Sequence, residues 1–78
     1  MKDLIEFIAR SLVDDPTQVE VSQVQRGSSV EIRLSVAKED MGRVIGKHGR
    51  VANAMRALLR VSAARESTRA SLDILEPR

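Results

Sequence analysis

The chain has no cysteine, no tryptophan and no tyrosine among its 78 residues, and one histidine, His48. Without cysteine there are no disulfides, no thiolate zinc sites and no cysteine nucleophile. One imidazole excludes a multi-histidine metal site, so neither a metal nor a cofactor is expected. Phe7 is the only aromatic side chain. Base stacking on an aromatic platform is thereby excluded. No apolar run approaches the roughly 20 residues of a membrane span, and Met1-Lys2-Asp3-Leu4 lacks the layout of a signal peptide. A soluble, cytoplasmic protein with no membrane partner is expected, and the missing cysteine fits a reducing compartment. A chain of this size buries only about 60% of the surface that it exposes when unfolded. Nine Val, seven Leu, five Ile, three Met and Phe7 are enough for one two-layer domain over residues 1–78.

The net charge of +2 conceals a polarity. Residues 1–40 carry five basic and eight acidic side chains, whereas residues 41–78 carry eight basic and three acidic. No acid stands between Asp40 and Glu66, a stretch that holds Arg43, Lys47, Arg50, Arg56, Arg60 and Arg65. Such asymmetry points to an anionic partner. A solvated helix face is the plainer alternative on charge alone.

Periodicity places the elements. Leu4, Ile5, Ile8 and Leu12 form the apolar face of a first helix, which Asp14-Asp15-Pro16 closes. Val19 and Val21 alternate with polar neighbours, and Val24 falls out of step, which predicts a bulge or an early strand end. Val30, Ile32, Leu34 and Val36 alternate with Glu31, Arg33 and Ser35 as a half-buried strand. Arg26-Gly27-Ser28-Ser29 between the two has turn chemistry, so a hairpin is expected. Ala37 to Ile45 is a short helical stretch with Glu39 and Asp40 early, where a helix N-terminus favours acids. After Gly46-Lys47-His48-Gly49, a helix runs to about Ala64, with Val51, Met55, Leu58, Leu59 and Ser62 as its core face. Asn53, Arg56 and Arg60 lie opposite that face. Glu66 to Arg69 is a loop, and Ala70, Leu72 and Ile74 alternate as a last strand. The order is helix, strand, strand, short helix, helix, strand, an α+β class.

Gly46-Lys47-His48-Gly49 is where sequence and chemistry converge. Two glycines let the backbone turn tightly with little side-chain bulk. The helix that begins near Arg50 presents unpaired N–H groups and a positive dipole end to that turn. Lys47 and Arg50 add formal charge beside those donors, a combination that suits a phosphate. An isolated G-x-x-G is also what a plain corner between two helices looks like. Here, however, it sits within Asp40-Met41-Gly42-Arg43-Val44-Ile45-Gly46-Lys47-His48-Gly49-Arg50, after an alternating strand and before an amphipathic helix. That stretch resembles the signature of the KH domain, the single-stranded nucleic-acid module whose GxxG loop clamps about four nucleotides. The element order is similar to the type II form, α-β-β-α-α-β, a three-stranded sheet covered on one face by three helices. A lone type II domain with Val-Ile-Gly-Lys-x-Gly-Arg, Met55-Arg56 and a short last strand is similar to the small bacterial KhpA family. Ala52 stands where many KH domains carry a large aliphatic residue, which leaves Val51 as the candidate for that packing.

The resemblance implies an RNA-binding protein, an RNA chaperone. It also implies action as a homodimer or with a larger KH-containing protein, KhpB/Jag, linked to cell-wall homeostasis and cell elongation. From the residue types, the N–H groups around Lys47, His48, Gly49 and Arg50 should face phosphates, with Lys47, Arg50 and Arg43 supplying salt-sensitive attraction. The resemblance assigns Val44 and Ile45 to an apolar groove for the bases. His48 either reaches the RNA or occupies a permissive loop position. Arg56 and Arg60 either widen the basic surface or form a solvated face. Ala54, Ala57, Val61 and Ala64 make a small-residue stripe, which is either a dimer surface or an edge of the core.

Three other readings compete. A nucleotide P-loop needs four residues between its glycines and Ser or Thr after the Lys. Here three separate Gly42 from Gly46, and His48 follows Lys47, so an enzyme is not expected. A KH-fold scaffold that acts by binding protein is the second, and a single-stranded DNA binder the third.

Overall fold

The structure, a computed structural model, describes residues 1–76. Its first helix, α1, spans Lys2–Leu12 and buries Ile5 and Ala9. Asp3 in the first turn and Arg10 in the last complement the helix dipole, and Arg10 pairs with Glu6 one turn back at 3.0 Å. The helix stops at Val13, which is already extended. Pro16 then opens a single 3-10 turn, Pro16–Gln18, in which the Asp15 carboxylate accepts from the Thr17 N–H.

Strands β1 (Glu20–Arg26) and β2 (Ser29–Ser35) pair antiparallel without interruption from Glu20–Ser35 to Arg26–Ser29. The expected bulge or early end at Val24 is absent. Val24 is instead half-buried opposite Glu31, on the sheet face that no helix covers. Gly27 supplies the left-handed φ of +58° at the first central position of the two-residue turn. Strand β3 (Arg69–Ile74) joins the other side of β2 in parallel, so the sheet order is β1-β2-β3. A parallel neighbour needs a crossover, and residues 36–68 provide it with α2 (Met41–Ile45) and α3 (Arg50–Arg65).

The central strand carries the core. Val30, Ile32 and Leu34, with Val36 beyond, meet Ile5 and Ala9 of α1, Val44 of α2, Met55 and Leu59 of α3, and Leu72 of β3. Each large apolar side chain buried there contributes up to about 1.5–3 kcal/mol. The other sheet face is polar, with Glu31 and Arg33 paired at 3.3 Å. Three helices on one face of a three-stranded sheet, in the order α-β-β-α-α-β, make the type II KH fold.

Helix α3 turns its core face slightly differently from the pattern expected. Ala52, Met55, Leu59 and Ala63 are buried, whereas Leu58 is 47% exposed. The expected face, Val51, Met55, Leu58, Leu59 and Ser62, spans a wide arc at 100° per residue, and the sheet selects the side of that arc flanked by small residues. Alanine at positions 52 and 63 lets the helix sit close to the strands.

Candidate nucleic-acid interface

Helix α2 has only five residues, and Gly46 ends it. The Gly46 N–H closes on the Gly42 carbonyl at 2.9 Å, and its own φ of +78° and ψ of 168° are accessible essentially to glycine alone. Space imposes the same choice: a Cβ on Gly46 would lie 2.5 Å from Val51 Cγ2 and 2.8 Å from the Val51 nitrogen. Val51 is thus half-buried beneath the loop, against the core, while Ala52 is buried at the position where a larger residue is common in KH domains.

Lys47–Gly49 form one 3-10 turn, inside which His48 (φ +58°, ψ +23°) is left-handed; Gly49 follows at φ +76°, and α3 starts at Arg50. A left-handed histidine costs on the order of 1 kcal/mol, and such strain clusters at functional segments. The loop turns two N–H groups inward: Gly49 bonds the Gly46 carbonyl at 3.1 Å, and Arg50 bonds the Lys47 carbonyl. Among the described residues, the N–H groups of Lys47 and His48 have no partner. Two backbone donors on exposed residues, rather than the four expected, are therefore left without a partner there. The side chains of Lys47, His48 and Arg50 are exposed, and none forms an ion pair among the described residues.

Two expected contributors lie elsewhere. Arg43 donates to Asp14 Oδ2 at 2.9 Å and lies 3.4 Å from Asp40 Oδ1, so its charge is already compensated. Val44 is completely buried in the core and offers no surface to a base. Its neighbour Ile45 is 37% exposed at the end of α2, beside Gly46, and leaves an apolar side chain at the surface. A one-residue step on a helix rotates the side chain by 100°, enough to separate core from surface.

Asp40, invisible to the sequence reading except as a helix-terminal acid, is the only buried charged side chain among the described residues, 2% exposed. Its two oxygens accept from the backbone N–H groups of Asp14 (3.0 Å) and Asp15 (3.1 Å). It thus ties the α1–β1 connection to the start of α2, the helix that carries the loop. No sequence signal marks this role, because its partners lie 26 and 25 residues away.

Strand β3 lies against α3 as an edge strand. The Arg69 and Leu75 N–H groups bond Ser28 and Leu34 carbonyls on the β2 side. In a parallel strand alternate residues face opposite neighbours, so the polar groups of Ala70, Leu72 and Ile74 point to the open edge. Arg56 confirms the phase: it reaches the Leu72 carbonyl at 3.4 Å and Asn53 Oδ1 at 3.3 Å. Arg56 therefore bridges α3 to the edge strand and does not lie opposite the core. Ala54, Ala57, Val61 and Ala64 are all exposed on α3, and with Leu58 they leave an uncovered apolar flank.

Among the described residues, no helix is long and apolar enough to cross a membrane, and no group of three or more His, Cys, Asp or Glu is placed to hold a metal ion.

Comparison with known proteins converges on one family. A family model described as KhpA/KhpB, KH domain, matches residues 2–74. The chain is 48% identical to the RNA-binding protein KhpA of Clostridium acetobutylicum, over 96% of this chain and 100% of that one. It is 50% identical to the RNA-binding protein KhpA of Treponema pallidum, over 96% and 94% respectively. The RNA-binding protein KhpA of Chlamydia trachomatis is 41% identical over the full length of both. No solved structure gives a significant match.

Proposed function

The chain belongs to the KhpA/KhpB KH-domain family, and on that premise we propose that it binds single-stranded RNA by clamping the backbone with the Gly46–Gly49 loop. The observation that carries this reading is the pair of N–H groups at Lys47 and His48 that have no partner among the described residues, beside Lys47 and Arg50, two exposed cations without an ion pair there. Donors fixed by the backbone need no reordering to meet a phosphate, and formal charge beside them adds long-range, salt-sensitive attraction. Ile45 and the open edge of β3 then offer the bases an aliphatic contact and hydrogen-bonding groups. With no aromatic platform, selectivity among bases is shallow, which suits an RNA chaperone.

The proposal includes self-association through Ala54, Ala57, Val61 and Leu58 on α3. A homodimer places two loops in one particle and raises avidity without new contacts per domain. A larger KH-containing partner of the KhpB/Jag kind would use the same flank. The family resemblance extends this proposal to cell-wall homeostasis and cell elongation.

Replacing Lys47 and His48 with Asp tests the clamp. The expected outcome is loss of single-stranded RNA binding with an unchanged circular dichroism spectrum. The remaining salt slope should be shallower by roughly 0.7 for each lost phosphate contact. Single-stranded DNA run in parallel separates an RNA binder from a general single-strand binder. RNA affinity that survives the double substitution refutes the clamp.

A further inference from the structure

The sheet has a second edge, strand β1, which β2 separates from β3 and the α3 helix packed there. The carbonyls of Ser28 and Leu34 bond the N–H groups of Arg69 and Leu75 on the β3 side. The polar groups of Ser29, Glu31, Arg33 and Ser35, one residue out of step, therefore face β1. Their partners in register are Arg26, Val24, Ser22 and Glu20. That leaves the N–H and C=O groups of Val21, Gln23 and Gln25 pointing away from the sheet. No other bond reaches them among the described residues.

Edges of this kind are commonly blunted by brevity, a proline, a bulge, a lysine or an inward-pointing charge. Strand β1 has none of these. It runs seven residues, pairs with β2 without interruption, and puts only Val21, Gln23 and Gln25 on the face that the helices cover. Its two charged residues, Glu20 and Arg26, stand at opposite ends on the uncovered face. Both are exposed, and neither forms an ion pair among the described residues.

These features match one occupant, a second β1 running antiparallel. With Gln23 opposite the partner's Gln23, Val21 meets the partner's Gln25, and each free backbone group faces a free group. The same register sets Glu20 against the partner's Arg26, and Arg26 against the partner's Glu20, where side chains interact across strands. A shift of two residues keeps the backbone match but sets Glu20 against the partner's Val24 or Ser28, and both ion pairs are lost. Beside Glu20, an open hollow of about 430 Å³ walled by Lys2, Glu6, Ser22, Arg33 and Ser35 leaves room for a partner's long side chain.

We infer that β1 is a self-association edge, on which two copies join their sheets antiparallel about a two-fold axis at Gln23. The charge order is self-complementary, so the symmetry itself supplies the specificity. The pairing needs neither the glycine loop nor the α3 flank.

The test starts from the full chain carrying V61R, which removes the α3 contact proposed above. Sedimentation up to roughly 1 mM is expected to show reversible association in this background. Adding E20R or R26E opposes like charges across the axis, and each alone should associate about tenfold more weakly. Mixed in equal amounts, these two variants should associate at least as well as V61R, because two bases on one strand then meet two acids on the other. Raising the concentration should slow hydrogen exchange at the Val21, Gln23 and Gln25 amides, with much less change at Ser22 and Val24. A V61R chain that stays monomeric leaves the edge to another protein's strand and overturns the self-pairing. A mixture no tighter than its components overturns it as well, as does exchange at those amides that ignores concentration. If V61R associates as tightly as wild type while E20R and R26E weaken it, the edge stands and the α3 flank fails instead.

Discussion

Arg43 donates a 2.9 Å hydrogen bond to the carboxylate of Asp14, 29 residues away in sequence. Asp40 sits behind this pair and holds both the Asp14 and Asp15 N–H groups. The two acids differ in consequence because they differ in burial. The Arg43–Asp14 pair is exposed on both sides, so it contributes no more than about 1 kcal/mol. Removing the Asp40 carboxylate leaves two N–H groups without an acceptor, at a cost of about 2–4 kcal/mol. Asp40→Ala should therefore lower the melting temperature by roughly 8 °C or more, on the scale of roughly 4–8 °C per kcal/mol for a chain this small. Arg43→Ala should shift it by only a few degrees and change RNA affinity less than Lys47→Ala does. Thermal denaturation of both variants decides the first point. Equal loss of RNA binding by Arg43→Ala and Lys47→Ala would return Arg43 to the phosphate site.

The two loop glycines are not equivalent. Gly49 is left-handed, but the nearest atom to an added Cβ is Asn53 Nδ2 at 3.7 Å, an ordinary contact. Alanine there costs about 1 kcal/mol in backbone strain. Gly46 combines a glycine-only backbone with a clash against the Val51 main chain, so alanine should cost about 3 kcal/mol or more. Denaturant titration of the two single variants measures the difference. Equal stabilities would contradict the packing of Val51 under Gly46.

These contrasts mark how far the sequence can be read. Alternation located β2 and β3 because one face of each is buried, and the glycine loop was legible because its residue types answer a local backbone demand. The direction of β3 was not, since the register Val30–Ala70 joins segments that carry no mark of each other. Val24 misled because a central valine on an uncovered sheet face looks like a break in phase. Charge assigns Arg43 to the ligand and the family resemblance assigns Val44, but a helix of five residues has one face in the core and one toward the α1–β1 connection, and only Ile45 is left over. Asp40 could not be found at all, because its function exists only once the α1–β1 connection folds over it.

The uncovered flank of α3 gives a prediction about assembly. Val61 is 58% and Leu58 47% exposed, values that a solitary domain has no need of in a row with Ala54 and Ala57. Val61→Arg should leave the monomer's melting temperature within a few degrees while weakening self-association by more than tenfold. Sedimentation across a concentration series reads this directly. An unaltered dimer would move the interface elsewhere, with Phe7 on α1, 72% exposed, as the next surface to examine.

Val44 and Ile45 should separate stability from binding within one dipeptide. Val44 is wholly enclosed by the core, and truncation to Ala leaves a cavity that costs about 1–3 kcal/mol. Its side chain does not reach the surface, so the folded fraction of Val44→Ala should bind RNA like the wild type. Ile45 is partly exposed beside Gly46, and Ile45→Ala should cost under about 1 kcal/mol in stability. What it loses is apolar area offered to a base, which predicts a several-fold drop in RNA affinity and an unchanged salt slope, since no phosphate contact goes with it. The slope is the deciding readout. A shallower slope in Ile45→Ala would mean that the side chain supports the loop's conformation rather than contacting a base. An affinity loss in Val44→Ala at full occupancy of the folded state would mean that α2 itself shifts when its core anchor is trimmed.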